Sequence, residues 1–314
     1  MDDYTDKTKQ WLEDRFKTVD KDGVYFAHQP VYGFAQGHCE GGIHDRYIIT
    51  YEIMRALAHL KFSSFLDVGA AEGYKAFVVK RLFGAEVVSS DISQEACRRA
   101  QELFNIKAIP GDVHGLPFQD DAFDVALCSE SLEHVTDWKK GVAELLRVAR
   151  KAVIITLPHD LEDFVTKEKE THVPHGHIHH FDLDSMNFLK KDGYRIIAQR
   201  IVRTKFRIPQ ILIDKKERIY NPKKNKYPRC CVDLYNFLVY FPLKFLLQPF
   251  SKVLTAVSIE MDHYLLKVMP AYQAVIFIIL KDQRCYSEDM VRRISAGEVM
   301  RVTVPFLRRK CVDV

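Results

Sequence analysis

Six histidines fall between positions 159 and 180, at His159, His172, His175, His177, His179 and His180, and His134 closes the run Glu130-Ser131-Leu132-Glu133-His134. Imidazole titrates near neutrality, so these residues suit a proton acceptor for an oxygen or nitrogen nucleophile, with His134 and His177 as the candidate catalytic pair. The same residue types suit a second task. Glu130, Glu133 and His134, joined by one histidine of 175–180 with His179 as the candidate, are the donors of a divalent-cation site. A third reading has Glu133-His134 begin a helix and the later histidines shape a loop. Spacing leaves all three open.

A second constellation lies upstream in Asp67-Val68-Gly69-Ala70-Ala71-Glu72-Gly73. Glycines between an apolar run and a helical stretch let the backbone come close to a ligand at a sheet edge. The spacing is Gly-x-x-x-Gly, without the three-glycine pattern that seats a pyrophosphate on a helix N-terminus. Asp91 follows about twenty residues later at the end of the next apolar run, where a carboxylate accepts from both hydroxyls of a ribose. Asp112, ending the third run, is suited to an exocyclic amine such as adenine N6. Together they indicate an adenosine-containing ligand, and the missing phosphate loop argues against NAD or ATP.

These residues need a scaffold, and the periodicity supplies one. Strands are expected at 64–69, 86–91, 108–112, 123–131, 151–158, 194–202 and 271–282, with helices at 74–84, 93–104, 137–150 and 183–193. The alternation predicts an α/β fold, a Rossmann-like, doubly wound, mostly parallel seven-stranded sheet with an inserted helical segment before the last strand. The expected organisation is a helical cap over 1–63, a core over 64–203 plus 271–282, an insertion over 204–270, and a tail over 283–314 with one helix around 287–300. The 314 residues are 47% hydrophobic with 14 Gly and 12 Pro, which excludes disordered and collagen-like classes. Seven scattered cysteines without a C-x-x-C pair fit a reducing compartment, and the polar N-terminus is no signal peptide. A cytoplasmic protein is expected.

The run GDVHGLPFQDDAFDVALCSESLEHV (111–135), downstream of DVGAAEG, resembles the class I S-adenosylmethionine-dependent methyltransferases. Within them it is most similar to the methyltransferase type 11 branch that includes quinone-biosynthesis enzymes, over roughly residues 40–203 plus the strand at 271–282. The resemblance implies S-adenosyl-L-methionine as cofactor and methyl transfer as the activity. It further implies that Asp67, Gly69, Ala70 and Gly73 line the methionine side and that Asp91 with Ile92 holds the ribose. Asp112 with Val113 would frame the adenine, and Ser129 with Glu130 would close the site. Ala70-Ala71 replaces the Cys-Gly usual in that loop, and alanine tolerates positive φ poorly. Small-RNA 3′-terminal methyltransferases and some quinone O-methyltransferases carry a similar Glu-x-x-Glu-His arrangement, which keeps a metal-assisted O-methyltransferase in play. A non-catalytic adenosyl-ligand-binding protein of the same fold is the rival from another class.

Charge and apolarity single out the insertion. Between Arg200 and Arg229 stand eleven basic residues against Asp214 and Glu217, a net +9 in a chain whose total is +4. The apolar run LYNFLVYFPLKFLLQPF follows, broken by Pro242, Lys244 and Pro249. It is expected to be a lid over the acceptor pocket, or an element making peripheral membrane contact through 204–250. The acceptor is then a small molecule or a lipid-linked one, with nucleic acid ranked below both. The flanking strands are expected to pair without this segment.

Overall fold

The computed structural model describes residues 3–19, 25–31, 43–171, 173–202, 229–240, 246–265 and 272–302. His172, most of the basic block, Pro242, Lys244 and the end of the tail lie outside the described residues.

Short apolar runs become the strands β1 (Ser64–Val68), β2 (Glu86–Asp91), β3 (Lys107–Pro110), β4 (Phe123–Ser129), β5 (Ala149–Pro158), β6 (Arg195–Val202) and β7 (Tyr272–Leu280). They form one sheet in the order β3-β2-β1-β4-β5-β7-β6. β1 to β5 pair in parallel, and β7 runs antiparallel to both of its neighbours. This is the mostly parallel, doubly wound sheet that the alternation predicted.

Every residue of β4 is buried, as a central strand covered on both faces requires. Phe65, Val125, Leu127 and Ile154 face one cluster; Leu66, Ala126, Cys128, Val153 and Ile155 face the other. Asp124 ties the lower end of the sheet together. Its carboxylate accepts from the Ser63 N–H at 2.8 Å and the Ser63 hydroxyl at 2.9 Å, and it pairs with Arg150 and Lys151. Burial alone would raise this carboxyl, but those donors hold it well below the usual carboxylate range.

Helices α1 (Asp3–Lys17), α2 (Ile43–Leu57), α3 (Tyr74–Phe83), α4 (Gln94–Phe104), α5 (Trp138–Val148) and α6 (Glu162–Thr171) cover the sheet and its carboxyl edge. Ser93 caps α4 by accepting from the Ala96 N–H. The sheet order reverses at β1, which has β2 on one side and β4 on the other. The glycine loop after β1 and the 130–134 segment after β4 therefore flank the crevice where such sheets bind ligands.

Two expected helices are shorter than the pattern suggested. Over 183–193 only Asn187–Asp192 turns helically, in a tight 3₁₀ form. Upstream of it, Asp182 and Ser185 exchange side-chain and backbone bonds that compete with a helix. Over 287–300 only α9 (Ala296–Arg301) forms, started by a Ser295/Glu298 capping box. The residues before it bond instead to the end of α2, Ser287 N–H to the His59 carbonyl and Val291 N–H to that of Ala58.

The insertion contributes α7 (Arg229–Tyr240) and α8 (Ser251–Leu265). α8 is fastened to its neighbours. Glu260 accepts from the Tyr51 hydroxyl and the Ala296 N–H, both at 2.8 Å, and His263 pairs with Glu52. Ile259 belongs to the main core cluster. The segment expected to be separable from the strands thus supplies part of their packing. Among the described residues no helix is long and apolar enough to cross a membrane.

Candidate active site

A cavity of about 600 Å³ opens at the carboxyl edge of the sheet, in the range of small-molecule and cofactor sites. Its floor is the glycine loop. Gly69 has φ 66°, and a Cβ there would lie 2.2 Å from Ser131 Oγ, so the close approach of the two crevice walls demands glycine. Gly73, at φ 75°, starts α3, where a Cβ would strike Ile106 and Ala100. Ala71 itself takes φ 47°, so alanine does occupy the left-handed region at the position where it departs from the family pattern.

Asp91 fastens this loop. Its two carboxylate oxygens accept from the Ala71 N–H at 2.8 Å and the Ser93 N–H at 3.0 Å. Burial pushes its carboxyl up to about 6 against the pull of those two donors. Asp67 is likewise raised to about 6 by burial, opposed by Lys75 and the Ala76 N–H, from which it accepts at 3.2 Å. Asp112 accepts from both the backbone N–H and the ring Nδ1 of His114.

The opposite wall holds the histidines. Ligand atoms of Glu133, His134 and His177 all lie within 4.8 Å of one another. His134 donates Nδ1–H to the Gly176 carbonyl at 3.1 Å, which leaves Nε2 with a lone pair, 3.7 Å from Glu133 Oε1. His177 engages Asp160 through Nδ1 at 2.5 Å, which likewise leaves its Nε2 for the cluster. Glu133 Oε2 and Glu130 Oε1 are buried without a hydrogen-bond partner among the described residues. Burial, and next the charge of Glu130, push Glu133 up to about 8. Burial drives His134 far below the usual imidazole range. It works against His177 as well, but Asp160, Glu133 and Glu168 outweigh it and lift that ring to about 9.

The N-terminal segment roofs this wall. His175 is stacked between Trp11 at 5.1 Å and His134 at 3.6 Å, and the Tyr4 hydroxyl bonds the Gly176 carbonyl at 3.2 Å. The roof is anchored to the glycine loop by Glu72, which accepts from the His28 N–H at 2.9 Å and lies 3.7 Å from Arg99. Arg99 in turn donates to the Phe26 carbonyl.

Residues 66–157 match the family model of a methyltransferase domain. Over these residues the chain carries a methyltransferase domain of the S-adenosylmethionine-dependent kind. An O-methyltransferase of Penicillium expansum is 25% identical over 170 residues, 51% of this chain and 62% of that protein. The glycine/sarcosine/dimethylglycine N-methyltransferase of Actinopolyspora halophila is 27% identical over 143 residues, 43% of this chain and 25% of that protein. The chain thus spans less than two thirds of the length of either relative, and the two differ in the atom they methylate. The fold is shared with phosphoethanolamine N-methyltransferase 2 of Haemonchus contortus, solved with S-adenosyl-L-methionine. The TM-score is 0.51 at 17% identity, over 88% of this chain and 60% of that one.

Within the methyltransferase domain, Gly69, Asp91, Ile92, Asp112, Val113, Ser129 and Glu130 line the cavity, whereas Asp67, Ala70 and Gly73 stand behind its wall. Asp67 instead holds the first turn of α3. Of the histidine run, His177 joins Glu133 and His134, but His179, expected as the metal ligand, turns Nε2 to the Val135 carbonyl at 2.7 Å. His159 and His180 bond the Phe181 and Asp160 carbonyls. Sequence reasoning gave no role to Trp11, His28 or Asp160. The apolar residues Trp11, Leu12 and Phe16 on an otherwise charged helix were the available signal for the roof.

Proposed function

We propose that this chain transfers the methyl group of S-adenosylmethionine to a hydroxyl oxygen of a small or lipid-linked acceptor, beside a divalent cation held by Glu133, His134 and His177. One observation carries the oxygen reading, the meeting of three ligand atoms in the wall of the cavity that the glycine loop floors. The donors fit a cation. Each imidazole has its far nitrogen fixed by a carbonyl or carboxylate, the outer-shell pattern of metal-binding histidines, and Glu133 keeps an oxygen with no partner among the described residues. Two imidazoles with a carboxylate favour Mn²⁺, Co²⁺ or Zn²⁺ over Mg²⁺. A cation bound there lowers the pKa of a hydroxyl, and S-adenosylmethionine supplies the methyl from its sulfonium.

The chain's own residues bind, orient and exclude water. Asp91 offers its carboxylate to the ribose hydroxyls, and Asp112 accepts from the adenine amine between the apolar side chains of Ile92 and Val113. Asp160 holds the His177 ring, and Gly176 holds that of His134. Trp11 and His175 cover the cluster from solvent.

The test has two parts. Metal bound after dialysis against Mn²⁺, Co²⁺, Zn²⁺ or Mg²⁺ is measured by mass spectrometry for the wild type, Glu133→Gln and His177→Ala. About one equivalent in the wild type and at least tenfold weaker binding in both variants is expected. Labelled cofactor is then incubated with cell extract fractionated into lipid, small-molecule and RNA pools. Absence of bound metal in the wild type, or label found only on nitrogen, ends this reading.

A further inference from the structure

The helix that returns the insertion to the sheet is amphipathic in the wrong sense for a protein surface. On α8, Val253, Val257, Met261 and Tyr264 recur at intervals of three or four residues; Leu246 and Phe250 precede the helix, and all six are 45–68% exposed. The face turned inward carries Thr255, Ser258 and Asp262, all buried, with Ile259 as its buried apolar residue. Glu260 and His263 fix that orientation through Tyr51, Ala296 and Glu52, so the helix is not free to roll its apolar stripe inward. Contiguous exposed apolar surface of this kind marks an interaction face.

Charge identifies what meets it. The 26 residues 203–228, which precede α7 in the sequence, carry nine basic side chains against Asp214 and Glu217, a net +7. Lys252 adds an exposed cation on α8, while Arg229 on α7 is paired with Asp233 at 3.8 Å. An exposed apolar stripe in an insertion whose sequence is this cationic suits the acyl boundary and headgroups of an anionic bilayer. A second copy of the chain would bring an equally cationic segment, which offers the first no opposite charge. The polar inner face excludes a spanning helix, but the roughly 22 Å of α8 (Ser251–Leu265) suffices to lie along a surface.

We infer that the stripe Leu246, Phe250, Val253, Val257, Met261 and Tyr264 seats this protein on the surface of an anionic phospholipid membrane. The consequence for the cavity is topological. Val202, at the end of β6, pairs with Tyr272, at the start of β7, beside the cavity residues Gln273 and Ala274. The insertion therefore leaves and rejoins the sheet at the cavity's rim. This inference does not depend on the metal or on the acceptor atom.

The test is flotation of the full-length protein with vesicles of phosphatidylcholine alone or with 30% phosphatidylglycerol, at 50 and 500 mM NaCl. The wild type should float with the anionic vesicles at low salt, and binding should fall at least tenfold at high salt. Val257→Glu and Met261→Glu, at exposed positions, should each lose at least tenfold while keeping the wild-type thermal midpoint. Light scattering is measured in parallel. Failure of the wild type to float at low salt, or variants that float like the wild type, overturns the inference. So does a wild-type dimer that both variants convert to monomer without any vesicle binding, because a second copy then covers the stripe.

Discussion

Asp91→Asn separates a ligand-binding carboxylate from a structural one, because its two effects differ in size. The side chain is 7% exposed, and both oxygens accept from backbone N–H groups, those of Ala71 and Ser93. Asparagine keeps one acceptor and turns an amide N–H₂ toward the other donor. That loses one charge-assisted bond, roughly 1.5–3 kcal/mol. That bond is already counted in the net rise of the carboxyl from 3.8 to about 6, where burial outweighs both donors, so holding it ionised at pH 7 costs about 3 kcal/mol that the neutral amide does not incur. The free protein should therefore hold its stability or gain up to about 3 kcal/mol. Cofactor affinity has no such compensation. Losing a charged acceptor to a ribose hydroxyl should weaken binding by about 10- to 150-fold. Calorimetry with S-adenosylmethionine and thermal denaturation of the free protein read the two effects separately. Unchanged affinity refutes the ribose assignment, and a collapse of the free protein's melting temperature shows that the carboxylate serves the loop instead.

Cofactor affinity should also fall below pH 6, approaching tenfold per pH unit, because Asp91 is raised to about 6 and must be ionised to accept from two hydroxyls. Calorimetry from pH 5 to 8 checks this, and a flat profile contradicts it. Asp124→Ala strands the Ser63 N–H but leaves Arg150 53% and Lys151 27% exposed and able to rehydrate, so denaturant unfolding should show a loss of about 2–3 kcal/mol. That stabilisation is present above the ordinary carboxylate pKa and is lost as pH falls through the depressed value of the folded state. Gly69→Ala should abolish detectable cofactor binding, since its Cβ would lie 2.2 Å from Ser131 Oγ in a backbone conformation of φ 66°. Gly69→Ala combined with Ser131→Gly should recover part of that binding.

What the sequence showed and what it hid divide along the range of the contacts. β1 and β4 read as strands because burial on both faces leaves largely apolar runs, and Asp91 was legible because it ends the short run EVVSSD one helix further on. The choice between His177 and His179 was not legible, since the two are only two residues apart. It is set by the Ile178 N–H, which bonds the Glu133 carbonyl at 2.9 Å and lays this loop against the 133–135 segment. Trp11 over His175 and Glu72 beneath His28 depend on contacts between segments far apart in sequence, which leave no local period to read. The polar inner face of α8 was hidden for the opposite reason. Its apolar residues carry a helical period, and periodicity alone assigns such a stripe to the core.

Backbone strain gathers where the two halves of the cavity meet. Ala71, Glu130 and His175 take φ of 47°, 54° and 59°, a conformation that costs a residue with a side chain roughly 1–2 kcal/mol. All three line the cavity, one from each of the glycine loop, the end of β4 and the histidine loop. Ala71→Gly tests whether the Ala71 backbone or its methyl matters. Glycine relieves about 1 kcal/mol of left-handed strain. It gives back roughly 0.4–1 kcal/mol in unfolded-chain entropy, and about 0.8 kcal/mol of methyl packing against the Leu12 and Phe16 cluster. Stability should therefore stay within about 1 kcal/mol of wild type. The N–H that Asp91 accepts survives in glycine, so cofactor affinity should be unchanged. Ala71→Pro removes that N–H and fixes φ near −65°, so it should lose binding altogether. Should glycine weaken the cofactor tenfold while stability holds, the methyl itself touches the ligand, and alanine at this position is a contact rather than a tolerated strain.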